Sequence, residues 1–281
     1  MTQTVGLIGV GAMGQALLHR LHLAGHQVQV YDINQTQMDL AQESGAIPKA
    51  SAIEAASDVD HIHLFVRSDQ DFLDVTLGPD GILTKPGIKK NAVLYLHGTV
   101  LPETTQKIGA EALKQGIRPL DAPITAVPRV VHAGNATFLI GGEDDTAKTA
   151  ETHLAGLGKA VYHFGALGSG NAAKIVKNLI NANERIALSE ALNIAEASGL
   201  DVKQFMEMAL SADGGSTSAR WEKAFNMDGN HPVPRPASNM LNKDIHLAAK
   251  FAKILGLDTP MTQGASDTAA KWVAGWEKDK L

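Results

Sequence analysis

The chain has 281 residues, enough for one large domain or two of ordinary size. Its 25 basic and 30 acidic side chains give a net charge of −5, and no block of lysine and arginine suggests a nucleic-acid partner. Cysteine is absent, which excludes disulfides and cysteine-ligated metals and fits a reducing compartment. With no signal-type segment and no apolar run of membrane-spanning length, the sequence predicts a cytoplasmic protein without a membrane partner.

The first half of the chain alternates between strand-like and helix-like segments. Strands are predicted at residues 4–8, 28–31, 61–66, 92–96, 117–121, 137–141 and 160–164. Helices are predicted between them, at about 12–24, 34–44, 51–57, 69–77, 102–115 and 143–156. This alternation predicts an α/β Rossmann domain, in which helices cover a doubly wound, mostly parallel sheet.

The first strand, turn and helix carry the most specific pattern in the chain. Gly9, Gly11 and Gly14 form G-x-G-x-x-G between the strand and the helix. The first glycine permits a tight turn, the second lets backbone approach a pyrophosphate, and the third lets the helix pack closely. The helix N-terminus also offers N–H groups to phosphates. The sequence therefore predicts a dinucleotide site formed by Gly9, Gly11, Ala12, Met13 and Gly14.

Asp32, at the end of the second strand, indicates which dinucleotide binds. Its carboxylate is suited to accept hydrogen bonds from a ribose 2′-hydroxyl and would repel a 2′-phosphate. The residues that follow, 33–35, are uncharged and supply no cation for a phosphate. NAD(H) is therefore the predicted cofactor, and NADP(H) is less favoured.

The pattern changes at the glycine-rich residues 165–170. Residues 171–198 contain neither proline nor glycine and have apolar residues at a helical period, which predicts one helix of about 28 residues, roughly 42 Å long. A helix of that length does not fit one face of a small sheet. We therefore predict a dinucleotide-binding domain at residues 1–165 and an all-helical substrate and dimerisation domain at residues 166–281. Its remaining predicted features are an N-cap at Asp201, a stiff loop at 231–236, and helices at about 239–255 and 259–274.

Lys174 and Asn178 lie four residues apart on one face of the long predicted helix, and Asn181 and Arg185 extend this stripe. The spacing alone is typical of a solvated polar face. The position next to the predicted domain boundary favours a ligand site instead, because clefts between domains often bind ligands. There a lysine would donate a proton to a carbonyl oxygen during reduction and take it back during oxidation, while the asparagine amide holds the substrate.

The chain resembles the β-hydroxyacid dehydrogenase family, the group that contains 3-hydroxyisobutyrate dehydrogenase. The similarity covers nearly the whole chain and is carried by residues 6–14, 24–28, 78–81, 120–123, 133–134, 141–142, 168–174, 178 and 243–244. The resemblance implies NAD(H)-dependent interconversion of a small β-hydroxy acid and its semialdehyde or keto form. It implies Lys174 as the catalytic residue, Asn178 as a substrate ligand, and a homodimer or homotetramer. It also implies cofactor contacts at Val66, Arg67, Thr99 and Lys243. In the absence of the resemblance, we would interpret Thr99 as a hydroxyl at a strand end and Lys243 as a surface lysine.

The segment expected to bind the substrate departs from the family pattern. Thr125, Ala126 and Val127 stand where the family has Ser-Gly-Gly, whose backbone cradles the substrate carboxylate. Thr125 keeps a hydroxyl, but the next two side chains would narrow that pocket. Arg129 is either a replacement clamp for the carboxylate or a surface arginine. We therefore expect the family's chemistry with an altered substrate, bound by Thr125, Ala126, Asn178 and Arg129.

Two other classes of function stay open at this point. An imine reductase-like enzyme would share the architecture, but that group usually has Asp or Tyr in place of Lys174. A non-enzymatic nucleotide-binding module is disfavoured because Lys174 is intact. No metal site is predicted, since the histidine spacings, including His19 and His22, do not form a convincing ligand set.

Overall fold

A computed structural model describes residues 3–197, 199–212, 221–229, 231–234, 239–256 and 259–278. The chain divides into two compact units, Met1–Lys174 and Ile175–Leu281. Among the described residues, none of the helices combines the length and the hydrophobicity that a membrane span needs.

A six-stranded parallel sheet forms the centre of the first unit. Its strands are β1 (Thr4–Ile8), β2 (Gln27–Tyr31), β3 (Ile47–Pro48), β4 (His61–Leu64), β5 (Val93–Leu96) and β6 (Arg118–Asp121). They lie in the order β3-β2-β1-β4-β5-β6, and each adjacent pair is parallel. Two further parallel strands, β7 (Thr137–Ile140) and β8 (Ala160–His163), pair with each other. The predicted Rossmann fold is confirmed; β3 was not predicted because two residues are too few to show a period.

Helices cover both faces of this sheet. They are α1 (Ala12–Leu23), α2 (Gln35–Glu43), α3 (Ala52–Ala56), α4 (Asp69–Leu77), α5 (Pro102–Lys114), α6 (Pro128–His132) and α7 (Asp144–Leu154). Strand β5 shows the two-sided packing: Val93 and Tyr95 belong to one apolar cluster, and Leu94 and Leu96 belong to the other. The central strands are therefore apolar without alternation, as expected for a parallel sheet buried on both faces. Only the five-residue α6 was not predicted.

The second unit is mainly helical, as predicted. The long helix α8 (Ser169–Ala197) begins at the end of the first unit, and the others are α9 (Val202–Ala212), α10 (Trp221–Ala224), α11 (Asn239–Ile254) and α12 (Pro260–Lys278). Asp201 is confirmed as an N-cap, since its Oδ1 accepts a 2.8 Å hydrogen bond from the Gln204 backbone N–H.

One prediction for the second unit was wrong. Strands do not stop at residue 165, because β9 (Phe225–Asp228) and β10 (His231–Pro234) form an antiparallel hairpin. The prolines of residues 231–234 suggested a stiff loop. A two-stranded ladder consists only of edge strands, however, where a proline without an N–H is tolerated. Residues 235–236 of that predicted loop lie outside the described residues.

Candidate active site

The glycine motif forms the turn between β1 and α1. Gly9 has a φ of +87°, and a Cβ there would collide with the Phe65 carbonyl oxygen; a Cβ at Gly14 would collide with the Gly9 carbonyl oxygen. A Cβ at Gly11 would meet no atom within 4 Å. Two of the glycines are therefore required by the packing of the chain itself, whereas Gly11 borders open space.

That open space lies at the N-terminus of α1, which begins at Ala12. Gly11 is the N-cap residue, and no side chain caps the helix. The backbone N–H groups of the first turn, which includes Met13, are thus available to an anion, and the helix dipole adds a partial positive charge. The turn fits the pyrophosphate of a dinucleotide, because Gly11 has no side chain to fill the open space in front of the helix N-terminus.

Asp32 lies directly beside this turn. Its Oδ2 accepts a 2.8 Å hydrogen bond from the Val10 N–H, and its Oδ1 accepts a 2.9 Å hydrogen bond from the Asn34 N–H. The carboxylate is therefore held in one orientation between the glycine turn and the end of β2. The next side chain, Ile33, is 92% exposed and brings no charge to the neighbourhood.

Three more predicted site segments follow the carboxyl ends of neighbouring strands. Residues 66–67 follow β4, Thr99 follows β5, and residues 125–126 follow β6. The first two loops pack closely, since a Cβ at Gly98 would lie 3.0 Å from the Val66 carbonyl oxygen. The structure thus brings these segments to one edge of the sheet, where ligands of open α/β sheets bind.

Lys174 lies near the start of α8 and is only 9% exposed. The start of that helix is held by the buried carboxylate of Asp121, which accepts hydrogen bonds from the backbone N–H groups of Gly168 (2.7 Å) and Asn171 (2.5 Å). Burial raises the pKa of the Asp121 carboxyl to about 6, although these backbone hydrogen bonds act in the opposite direction. Asp121 therefore fixes the helical turn that carries Lys174.

Asn171 connects the same turn to the loop of Thr99. Its Oδ1 accepts a 3.1 Å hydrogen bond from the Val100 N–H, and its Nδ2 donates to the Thr105 hydroxyl at 3.3 Å. Asn171 is fully buried. Sequence reasoning assigned no role to Asp121 or Asn171, although both lie in segments that carry the family resemblance; their contacts span 47 to 71 residues along the chain.

The second unit places Asn178 beside α11. The Asn178 Nδ2 donates a 2.9 Å hydrogen bond to Oδ2 of Asp244, which follows Lys243 in the chain. On α8, Asn178 is one helical turn beyond Lys174. Asp244 therefore orients the side-chain amide of Asn178, a contact that the sequence did not predict.

Thr125 and Ala126 lie between β6 and α6. The Thr125 N–H donates a 2.9 Å hydrogen bond to the Thr137 carbonyl, and Ala126 packs against the apolar core. Arg129 lies on α6 and lines an open cavity of about 400 Å³ together with α1 residues that include Ala12. Of the predicted cofactor ligands, Ala12 lines this cavity with Arg129. Among the described residues, no group of three or more histidine, aspartate or glutamate side chains is placed to hold a metal ion.

Comparison with protein families accounts for almost the whole chain. Residues 4–165 match the NAD-binding domain of 6-phosphogluconate dehydrogenase, and residues 168–280 match the NAD-binding domain of NADP-dependent 3-hydroxyisobutyrate dehydrogenase. Mouse mitochondrial 3-hydroxyisobutyrate dehydrogenase (Mus musculus) is 30% identical over 93% of this chain and 78% of its own length. NAD-dependent L-serine dehydrogenase of Pseudomonas aeruginosa is 28% identical over 92% of this chain and 88% of its own length.

Solved structures show the same architecture. The Mycobacterium tuberculosis 3-hydroxyisobutyrate dehydrogenase with L-serine has a TM-score of 0.85 and 25% identity, covering 98% of this chain and 94% of its own. An imine reductase from Myxococcus stipitatus has a TM-score of 0.68 at 18% identity, covering 98% of this chain and 95% of its own, and shares the fold alone. The chain is an NAD-dependent oxidoreductase that belongs to the β-hydroxyacid dehydrogenase family.

Proposed function

We propose that the protein interconverts a small β-hydroxy acid and its semialdehyde or keto form, with Lys174 as the general acid–base. The observation that carries the proposal is the burial of Lys174 near the start of α8. Asn171, three residues earlier on the same helix, accepts a hydrogen bond from Val100 and so ties this helix start to the loop of Thr99. The names of two relatives support the substrate class, because 3-hydroxyisobutyrate and L-serine are both small acids with a hydroxyl on carbon 3.

The chain's own residues have to move one proton and hold two ligands. During oxidation the Lys174 amine accepts the proton of the substrate hydroxyl, and during reduction the ammonium returns it to the carbonyl oxygen. Asn178, oriented by Asp244, holds the substrate through its amide. Bound NAD supplies the hydride acceptor. The proposed cofactor ligands are Gly9, Gly11, Ala12, Met13, Gly14, Asp32, Val66, Arg67, Thr99 and Lys243.

A panel of substrates tests this proposal. With NAD, we expect turnover of small 3-hydroxy acids such as 3-hydroxyisobutyrate, L-serine and 3-hydroxypropionate, and none of cyclic amines, which are the products of an imine reductase. Lys174→Ala measured in parallel shows whether the turnover uses the proposed site. Oxidation of amines alone would favour the imine reductase alternative, and NAD binding without turnover of any compound would favour the nucleotide-binding module.

Asp32 is proposed to select NAD over NADP. Its fixed carboxylate would repel a 2′-phosphate, and residues 33–35, which follow it, bring no positive charge. We expect kcat/KM for NAD to exceed that for NADP by at least about tenfold, which corresponds to ~1.4 kcal/mol. Asp32→Ser combined with Ile33→Arg should shift the ratio towards NADP, while Ile33→Ser alone should leave it unchanged. A wild type that prefers NADP would contradict this assignment.

Arg129 is proposed to bind the substrate carboxylate in place of the missing glycine backbone. If it does, Arg129→Ala should raise KM for 3-hydroxyisobutyrate by about tenfold or more, the scale of one lost charged hydrogen bond. Arg129→Lys should recover only part, because lysine lacks the bidentate fork. His132→Ala, in the same cavity, is the matched control. An unchanged KM in Arg129→Ala would show that Arg129 is no clamp and that Thr125 and Ala126 shape a pocket for a different substrate class.

We further propose functional domains at residues 1–165 and 166–281, a homodimer or homotetramer, and a cytoplasmic location. The absence of cysteine supports a reducing compartment. Several relatives are named as mitochondrial enzymes, so the mitochondrion is the alternative location. Light scattering on the purified protein and fractionation of the source cells test the last two points.

A further inference from the structure

Four histidines and a tyrosine form a ladder in the first unit, here called the imidazole column: His61 and His63 on β4, Tyr95 on β5, His97 just after β5, and His153 on α7. All but the partly exposed His153 are buried. The rings stack, with centroids 3.8 Å apart for His61 and His153 and 4.6 Å apart for His63 and Tyr95. His63, Tyr95 and His97 are at most 4% exposed. A polar ladder in an otherwise apolar core needs every hydrogen bond satisfied.

The hydrogen bonds of the column have one consistent direction. The Nδ1 of His97 lies 2.7 Å from the Ala122 carbonyl oxygen, which only accepts, so this nitrogen carries the proton. The Nε2 of a neutral His97 then accepts from Nδ1 of His63, 2.7 Å away. The Nε2 of His63 accepts in turn from Nε2 of His153 at 3.0 Å. One proton on each ring satisfies the whole chain of bonds, and a second proton on His63 or His97 would set two donors against each other.

The surroundings keep these rings neutral. Burial is the main cause that lowers the pKa of His61 and His97 to about 4 and that of His63 well below its usual value. The other titratable groups that act on the column are His26, Asp60 and Arg118, of which only Asp60 raises the pKa of His61. The column is therefore uncharged at neutral pH.

His97 connects three strand ends. Its backbone N–H donates a 3.0 Å hydrogen bond to the Leu64 carbonyl at the end of β4, and its side chain binds the Ala122 carbonyl just after β6. Its ring also stacks on Phe65 at 4.5 Å. The loops that follow these three strands hold Val66 and Arg67, Thr99, and Thr125 and Ala126, which are the proposed cofactor and substrate ligands of the first unit.

We propose that His97 is a positioning residue for the reaction: its backbone hydrogen bond to Leu64 and its side-chain hydrogen bond to Ala122 fix the three ligand-bearing loops relative to one another. This inference rests on the proposed function in assigning those loops to the cofactor and the substrate. An apolar ring at position 97 would fill the same space. It would leave the buried Ala122 carbonyl and the His63 Nδ1 without their hydrogen bonds to His97. The end of β5 and the end of β6 would then be joined only by backbone hydrogen bonds, such as that from the Ala122 N–H to the Leu96 carbonyl.

The test compares His97→Phe, His97→Asn and the matched control His61→Phe. His61 belongs to the same column and bonds to the Tyr95 hydroxyl, but it lies at the opposite end of β4 from the ligand loops. We measure the NADH dissociation constant by fluorescence, the kcat and KM values, and the melting temperature of each variant. All binding data are taken well below the lowest melting temperature.

For His97→Phe we expect the NADH dissociation constant to rise about tenfold, the scale of one lost hydrogen bond to a buried group. His97→Asn should stay within about threefold of wild type, because its side-chain amide can replace the Nδ1 donor to Ala122. His61→Phe should lower the melting temperature to a similar extent without changing NADH affinity.

Either of two results would overturn the inference: NADH binding to His97→Phe that equals wild type, or a loss of affinity in His61→Phe as large as that in His97→Phe. If His97→Phe does not fold, His97→Gln replaces it. Its longer side chain places the amide away from Ala122, so it should bind NADH more weakly than His97→Asn does, and equal affinities would again overturn the inference. NADH binding needs no turnover, so a wild type that binds NADH and oxidises no hydroxy acid contradicts the proposed function and not the role of His97.

Discussion

Lys174→Ala is expected to lower kcat by about 10²–10⁴-fold, the usual contribution of general acid–base catalysis. The alanine removes the proposed proton donor and acceptor, while the glycine turn and Asp32, the proposed NAD ligands, are untouched. NADH affinity should therefore stay within a few-fold of wild type. Steady-state kinetics with 3-hydroxyisobutyrate and a fluorescence titration with NADH measure the two quantities separately.

Two further variants distinguish proton transfer from simple charge. Lys174→Arg keeps a cation but cannot give up its proton near neutral pH, so it should be nearly as slow as the alanine variant. Lys148→Ala, at an exposed position on α7, should have the activity of wild type.

In wild type, the rate of oxidation should fall at low pH, because the Lys174 amine has to be unprotonated to accept the proton. A Lys174→Ala enzyme within a few-fold of wild type would show that another group moves the proton.

Acidification from about pH 7 to about pH 5 is expected to reduce the free energy of unfolding by several kcal/mol. The cause is the set of buried histidines, because each unit by which the pKa of a group differs between the folded and unfolded chain corresponds to ~1.4 kcal/mol. Burial lowers the pKa values of His61 and His97 to about 4 and that of His153 to about 2, against 6.5 for an unperturbed histidine. Between pH 6.5 and 4 the unfolded chain therefore binds protons that the folded chain does not, and stability falls as the pH falls.

Asp121 acts in the opposite direction. Its pKa is raised to about 6 in the folded chain, so between pH 6 and its ordinary value of 3.8 the folded state binds the extra proton and gains stability on acidification. One carboxyl group offsets only part of the effect of the buried histidines. Urea unfolding at a series of pH values above about 5, where most carboxylates stay ionised, measures the balance. His61→Phe should make the dependence shallower, and a wild-type stability that does not change over this range would contradict a neutral column.

Much of the fold was predictable because its signals are local. The glycine motif, the apolar strands and the break at residues 165–170 each lie within a short stretch of sequence, and they indicated the Rossmann domain and the long helix α8. The features that were not predicted are short: β3 has two residues, α6 has five, α10 has four, and the β9–β10 hairpin has four on each side. Segments of that length do not complete enough periods to be distinguished from loops.

The sequence yielded candidate site residues but not the contacts that hold them. Lys174 and Asn178 were predicted from their spacing and from the family resemblance, and they stay predictions. The hydrogen bonds of Asp121 and Asn171 join distant segments of the chain, so the sequence did not reveal them. The imidazole column left a trace in the sequence, since His61 and His63, and likewise Tyr95 and His97, are two residues apart and therefore share one face of a strand. Recognising it required the register that pairs His63 with Tyr95.

Transfer of deuterium from a labelled substrate is the most direct test of the proposed reaction. L-Serine and 3-hydroxyisobutyrate, each deuterated at carbon 3, are incubated with NAD and either wild type or Lys174→Ala, and the reduced cofactor is analysed by mass spectrometry and NMR. We predict that wild type transfers one deuterium to the nicotinamide ring in each turnover of at least one of these acids, and that Lys174→Ala does so about 10²–10⁴-fold more slowly. A protein that binds NADH but transfers no deuterium from either acid, or that transfers it at the same rate without Lys174, would contradict the assignment.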